Sequence, residues 1–186
     1  MEPANGAMRR LADGNAVFRK SVDPSLLQRL NTKGQEPLAA ILACSDARVS
    51  PVKIFNLSLG DVFEVRVAGN SASDPSVLGS LEYAVEHLQV KHLVVLGHTG
   101  CGAVKAFIDG TAPENLRSAM KDMERARYKN PMDRQEDADM IAENNVRLQL
   151  RLLEDNSRII AKAVSAGKLE LHGAMYDLAT GSVRFI

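Results

Sequence analysis

Three runs of strand length, residues 38–43, 62–67 and 92–96, constrain this chain more than any other feature. Read as apolar on both faces, such runs suit strands covered on both sides, which means a mainly parallel sheet. Between the second and third run, residues 75–88 carry Val77, Leu78, Leu81, Val85 and Leu88 at helical spacing. Strand, helix and strand in that order predict a right-handed crossover unit.

The flanking segments are helical in pattern. Residues 7–20 place Met8, Leu11, Ala12 and Phe18 at roughly helical intervals among Arg and Lys, which reads as an amphipathic helix. Asp23-Pro24-Ser25 marks a break and a new start, and Leu26, Leu27 and Leu30 suggest a short second helix. From 113 to 166 charge is dense, and two or three helices are expected, broken at Asn130-Pro131 and ending near Gly167 as a C-cap. Residues 169–175 and 183–186 read as two strands joined at Thr180-Gly181. The expected fold is a single α/β domain over 1–186: an N-terminal helical arm (1–33), then a core (34–186) with a mainly parallel central sheet flanked by helices.

Composition narrows the function classes. Formal net charge is zero, and there is no Trp and few other aromatics. Neither a basic field nor a base-stacking surface is available, so nucleic acid is not an expected partner. No stretch approaches the roughly 20 apolar residues of a membrane span, and the start lacks the apolar segment of a secretory signal. The expected location is the cytoplasm, with no membrane partner. Two cysteines, Cys44 and Cys101, cannot make a disulfide framework, and a single bridge is the weaker reading in a reducing compartment.

The chemistry-bearing residues fall just after strands. Cys44-Ser45-Asp46-Ala47-Arg48 follows the first run, and Gly97-His98-Thr99-Gly100-Cys101-Gly102 follows the third. Open α/β sheets bind ligands at the C-terminal ends of their strands. Zinc favours thiolate and imidazole in tetrahedral geometry, and a catalytic site keeps three permanent protein ligands. Cys44, His98 and Cys101 supply that set. Taken singly, a buried Cys is more often a small hydrophobe, and a strand-end His more often hydrogen-bonded. Their joint placement favours the metal reading.

Cys44-x-Asp46-x-Arg48 followed by His98-x-x-Cys101 resembles the zinc signature of β-class carbonic anhydrases. Gly34-Gln35-Glu36-Pro37, Val65-Arg66-Val67-Ala68-Gly69-Asn70, Leu81-Glu82-Tyr83-Ala84-Val85 and His172-Gly173-Ala174-Met175-Tyr176-Asp177-Leu178 are similar to the family too. Ala47 departs from the usual Ser and Val67 from the common Asn, but neither removes a ligand. Ile41 stands where bicarbonate-inhibited members carry Trp, which counts against an inhibitory bicarbonate pocket.

The resemblance implies zinc-dependent, reversible hydration of carbon dioxide to bicarbonate and a proton by zinc-bound hydroxide. Cys44, His98 and Cys101 would hold Zn2+, and Asp46 would either be a fourth ligand or pair with Arg48. Gln35, Phe63 and Tyr83 would line the pocket of a neighbouring subunit, with Ala68 and Gly102 near the metal of their own. A homodimer or tetramer is implied. Tyr83 and His87, four residues apart on one helix, would pass protons outward, while His92 and His172 are read as structural. Rival readings are carbonyl sulfide or carbon disulfide hydrolysis at the same zinc, a non-catalytic zinc-stabilised binding domain, and a thiol redox protein.

Overall fold

A computed structural model of the chain describes residues 4–127 and 138–186; the expected break at Asn130-Pro131 lies outside them. The chain forms two compact units, Met1–Gln35 and Glu36–Ile186.

The first unit holds two helices, α1 (Ala4–Ser21) and α2 (Pro24–Lys33). The Asp23 carboxylate accepts from the Ser25 N–H at 2.8 Å and Pro24 opens α2, so the start expected there rests on an N-cap. Met8, Leu11, Val17 and Phe18 on α1 are exposed.

The second unit is built on a five-stranded sheet in the order β2-β1-β3-β4-β5. Its strands are β1 (Ala39–Cys44), β2 (Val62–Val67), β3 (His92–His98), β4 (Glu170–Tyr176) and β5 (Val183–Phe185). β2, β1, β3 and β4 are mutually parallel, and only β5 runs antiparallel, on β4. β1 is buried along its whole length, and β3 from its second residue onward. Val62–Val67 corrects the reading of three equally buried runs. As an edge strand β2 is mostly half-buried, and Glu64 points to solvent. Its alternating Glu64 and Arg66 already carried the period-two pattern of a half-exposed strand.

Alternation along β1 splits the core in two. Ala40, Leu42 and Cys44 pack with Leu81, Leu93, Val95, Met123, Val146, Leu153 and Ile160. Ile41 and Ala43 pack on the other face with Val49, Val94, Leu96 and Ala174. Each fully buried Leu or Ile contributes about 1.5–3 kcal/mol, so these faces fix the strand register and with it the strand ends.

The helices of this unit are α3 (Pro51–Ile54), α4 (Pro75–Glu86), α5 (Gly102–Ile108), α6 (Arg117–Ala126), α7 (Ala138–Asn156) and α8 (Arg158–Ser165). α4 stops two residues before the expected 88, with His87 as its cap and Gln89 in the left-handed region at φ 53°. α8 ends as expected near Gly167, which sits at φ 64° while its N–H reaches Val164 O and the Lys168 N–H reaches Ala163 O. This is the paired closure of a Schellman motif. The short helices α3 and α5 had no signal in the apolar periodicity.

Gly97 on β3 and Gly173 on β4 let α7 lie close on the sheet, Gly97 more tightly. A Cβ on Gly97 would come within 2.5 Å of Val146 Cγ2 and 2.7 Å of Met175 Sδ. Gly97→Ala is therefore expected to overpack the core and cost about 1–3 kcal/mol, read as a lower thermal midpoint. A parent-like midpoint would show that α7 yields freely.

Candidate metal centre

Parallel strands deliver their C-terminal ends to one edge, and pairing carries β1 and β3 past the expected limits. Cys44 pairs with Val67 and His98 with Tyr176, so two of the three candidate ligands are the last residues of their strands. After His98 the chain turns through Gly100 at φ 61° and places Cys101 at the N-cap of α5. A side chain at Gly100 would be strained by that backbone. Cys44, His98 and Cys101 are all buried, and their Sγ and ring-nitrogen atoms lie within 4.8 Å of one another. Both cysteines are free.

The hydrogen bonding of the donor set fits a metal such as zinc. His98 Nδ1 lies 2.9 Å from Thr99 O, which can only accept, so Nδ1 carries the hydrogen. His98 Nε2 is then left buried with no hydrogen-bond partner, an arrangement costly unless something electrophilic meets it. A ring held through one nitrogen and bare at the other is how imidazole is presented to a metal. The thiols point the same way. A hydrogen bond from Cys101 holds Cys44 well below the usual thiol pKa, helped by His98 and the Gly69 N–H and opposed by burial. That same bond, burial and the Cys44 charge push Cys101 up. The two thiols thus shift in opposite directions, Cys44 towards thiolate and Cys101 towards thiol. Burial works against charging His98, and Cys44, the Thr99 carbonyl and Asp46 together outweigh it. A cation bound by two thiolates and one imidazole fits this set, at bond lengths of about 2.0–2.3 Å.

Asp46 and Arg48 form a fork two residues beyond Cys44. Arg48 Nε donates to Asp46 Oδ1 at 2.9 Å and Nη2 to Oδ2 at 2.7 Å, while the Arg48 backbone N–H reaches Oδ1 at 2.9 Å. These bonds hold the Asp46 carboxyl well below the usual carboxylate range, with Arg48 as the largest cause. Arg48 Nη2 also reaches Gly100 O at 3.3 Å, tying the fork to the turn before Cys101.

The remaining expected residues are placed unevenly. Ala68 opens the turn Ala68–Asn70, whose Gly69 N–H donates to Cys44 Sγ at 3.4 Å, and Gly102 directly follows Cys101. Phe63 on β2 and Tyr83 on α4 have ring centroids 6.2 Å apart, and the Tyr83 and His87 rings touch at 5.0 Å, as their spacing anticipated. Gln35 belongs to the N-terminal unit.

Several supporting residues escaped the sequence reading. Arg66 donates to Cys44 O at 3.1 and 3.2 Å and to Asp46 O at 2.7 Å, which fixes the backbone between ligand and fork. Asp139 accepts the Gly100 N–H at 2.7 Å. Asn145 donates to Gly69 O at 2.9 Å and accepts from Gln149, whose Oε1 takes the Ala72 N–H. Gln149 also donates to buried Asp122, which holds Ser71 and Ser73. A signal existed for two of them: Asn145 and Gln149 are polar, four apart, on an otherwise apolar face of α7.

The sequence profile of one family, carbonic anhydrase, matches residues 39–183. The chain belongs to the carbonic anhydrase family. Carbonic anhydrase 2 of Mycobacterium tuberculosis is 37% identical over 153 residues, 80% of this chain and 73% of that protein. The solved β-carbonic anhydrase CcaA superposes with a TM-score of 0.86 at 27% identity, covering 97% of this chain and 87% of its own. A tetrameric β-carbonic anhydrase from Sordaria macrospora gives 0.84 at 29% identity, covering 98% and 97%. Membership is of the β class, and carbonic anhydrases are lyases, so the chain is an enzyme of that kind. Among the described residues, no helix is long and apolar enough to cross a membrane.

Proposed function

We propose that this chain hydrates carbon dioxide reversibly to bicarbonate and a proton, using one zinc ion held by Cys44, His98 and Cys101. The reading is carried by the buried trio of donor atoms within 4.8 Å of one another, with His98 Nε2 left without a hydrogen-bond partner. Zinc, when bound, supplies the Lewis acidity that lowers the pKa of water from 15.7 to about 7 in the three-histidine carbonic anhydrases, and less far where two thiolates offset its charge.

The chain's own residues then do four things. Arg48 holds both Asp46 oxygens, so that carboxylate is withheld from the three donors. Arg66 and Asp139 fix the turns that carry the cysteines. Carbon dioxide offers no charge to grip, so a small apolar pocket with one amide donor suits it. Phe63 and Tyr83 supply apolar wall and Gln35 the amide, contributed across a subunit boundary, with Ala68 and Gly102 leaving room beside the ligands. Tyr83 and His87 carry the released proton outward. Stopped-flow hydration assays test the reading, with carbonyl sulfide and carbon disulfide as alternative substrates. Turnover of either sulfur compound with none of carbon dioxide would replace it, and no turnover of any would favour a non-catalytic zinc domain.

The proton route makes its own prediction. The observation is the Tyr83–His87 ring contact at an exposed helix end. His87→Ala is expected to lower kcat about tenfold or more at low buffer concentration, with rescue by added imidazole. An unchanged kcat across buffer concentrations makes His87 a bystander.

Assembly follows from the exposed apolar residues of α1 and from the subunit-spanning pocket. The protein is a homodimer, or dimers paired into a tetramer, and works in the cytoplasm. Sedimentation at micromolar protein is expected to give no monomer; an active monomer contradicts it.

A further inference from the structure

We propose a second metal site, for a divalent transition-metal ion such as Zn2+, on His92, Glu170 and His172. These residues lie at the start of β3 and β4, the opposite sheet edge from Cys44, His98 and Cys101. The six residue steps from His92 to His98 span about 20 Å of strand, so the two sites are separate.

The juxtaposition follows from register. His92 on β3 pairs with Glu170 on β4, and His172, two residues along β4, shares Glu170's face. Three ligand-bearing side chains therefore stand together on one side of the sheet. His92 Nδ1 lies 3.2 Å from His172 Nε2. Glu170 Oε2 lies 3.7 Å from the first nitrogen and 3.6 Å from the second. The triangle is nearly regular. Two imidazole nitrogens and one carboxylate oxygen on a tetrahedral ion, at bonds of about 2.0–2.2 Å, stand about 3.3–3.6 Å apart. The observed separations need only small rotamer adjustments to match.

Chemistry and exposure agree with an open site. Imidazole suits Zn, Cu, Fe and Ni, and zinc also accepts a carboxylate oxygen, whereas an all-oxygen site would suit Mg or Ca. The side chains are 48%, 69% and 35% exposed for His92, Glu170 and His172, so an ion can enter and water can complete its shell. Lys91 and Lys168 line the adjoining cleft with Glu86. Attraction for a cation here thus comes from ligation rather than from a broad negative field. A plain hydrogen bond between the two imidazoles is the competing account, and it predicts no metal uptake.

The test uses the zinc-loaded enzyme, so that the cysteine site is already filled. Titrating it calorimetrically with Zn2+ is expected to show one further equivalent per chain. Losing an outer partner of a metal site costs about 10–100-fold in affinity, so losing a ligand should cost at least tenfold. His92→Ala and His172→Ala should each weaken the second equivalent by that much or more, and Glu170→Gln should weaken it less. Carbon dioxide hydration in all three variants should match the parent, which also shows that they fold. With Co2+ as the added ion, visible d–d bands should appear without the sulfur-to-cobalt charge-transfer band of the cysteine site. No second equivalent in the parent, or unchanged uptake in the His92→Ala/His172→Ala double variant, overturns the proposal.

Discussion

Cys101→Ser is expected to lose zinc and carbon dioxide hydration together. The side chain is buried at the N-cap of α5, within 4.8 Å of the other two donor atoms. A serine hydroxyl ionises far less readily than a thiol and offers a harder, weaker ligand, so the set drops from three effective donors to two. Loss of an outer hydrogen-bond partner already costs about 10–100-fold in metal affinity or activity. Removal of a ligand should exceed that, and the hydration rate should fall more than a hundredfold. Zinc analysis and stopped-flow assay of one preparation check both halves. Full zinc and full rate in this variant would remove Cys101 from the ligand set, and with it the account of the pocket.

Arg48→Ala should give the second large effect, with a different signature. It removes both guanidinium bonds to Asp46, leaving that carboxylate with the backbone N–H of residue 48. Released, Asp46 becomes a potential fourth donor two residues from Cys44. Water competes poorly with a carboxylate for a cation, whereas hydroxide competes well. In the parent, activity should therefore climb as pH rises through the alkaline range. In the variant it should stay depressed even there, by about 10–100-fold, while zinc content remains at the parent level. That combination separates a lost gate from a lost metal. A parent-like rate and pH profile would rule the gate out.

How far the sequence foretold this molecule depends on the kind of information each element carries. The buried strands and α4 were legible because their apolar residues repeat at the period of the structure they form. Asp23 with Pro24 announced α2, and Gly167 announced the end of α8, because caps are local chemistry. The helices α3 and α5 were not legible. They are short, and turns at the sheet edge fix them rather than an apolar stripe. That Cys44, His98 and Cys101 come together was readable since every cysteine in the chain stood beside a strand end.

Its supports were not readable. Arg66 reaches Cys44 only because β2 lies against β1, and Asp139 reaches Gly100 from a helix 39 residues further along the chain. Both depend on which elements become neighbours, which periodicity does not encode. The second histidine cluster shows the same limit. His92, Glu170 and His172 look unrelated in sequence, and only the His92–Glu170 register makes them one group.

The most direct test of the central claim is a zinc titration of metal-free protein, with carbon dioxide hydration measured by stopped flow at each step. The account predicts that the rate rises in proportion to zinc bound at the cysteine site and levels off at one ion per chain. A full rate without metal, or one zinc per chain with no hydration, would contradict it.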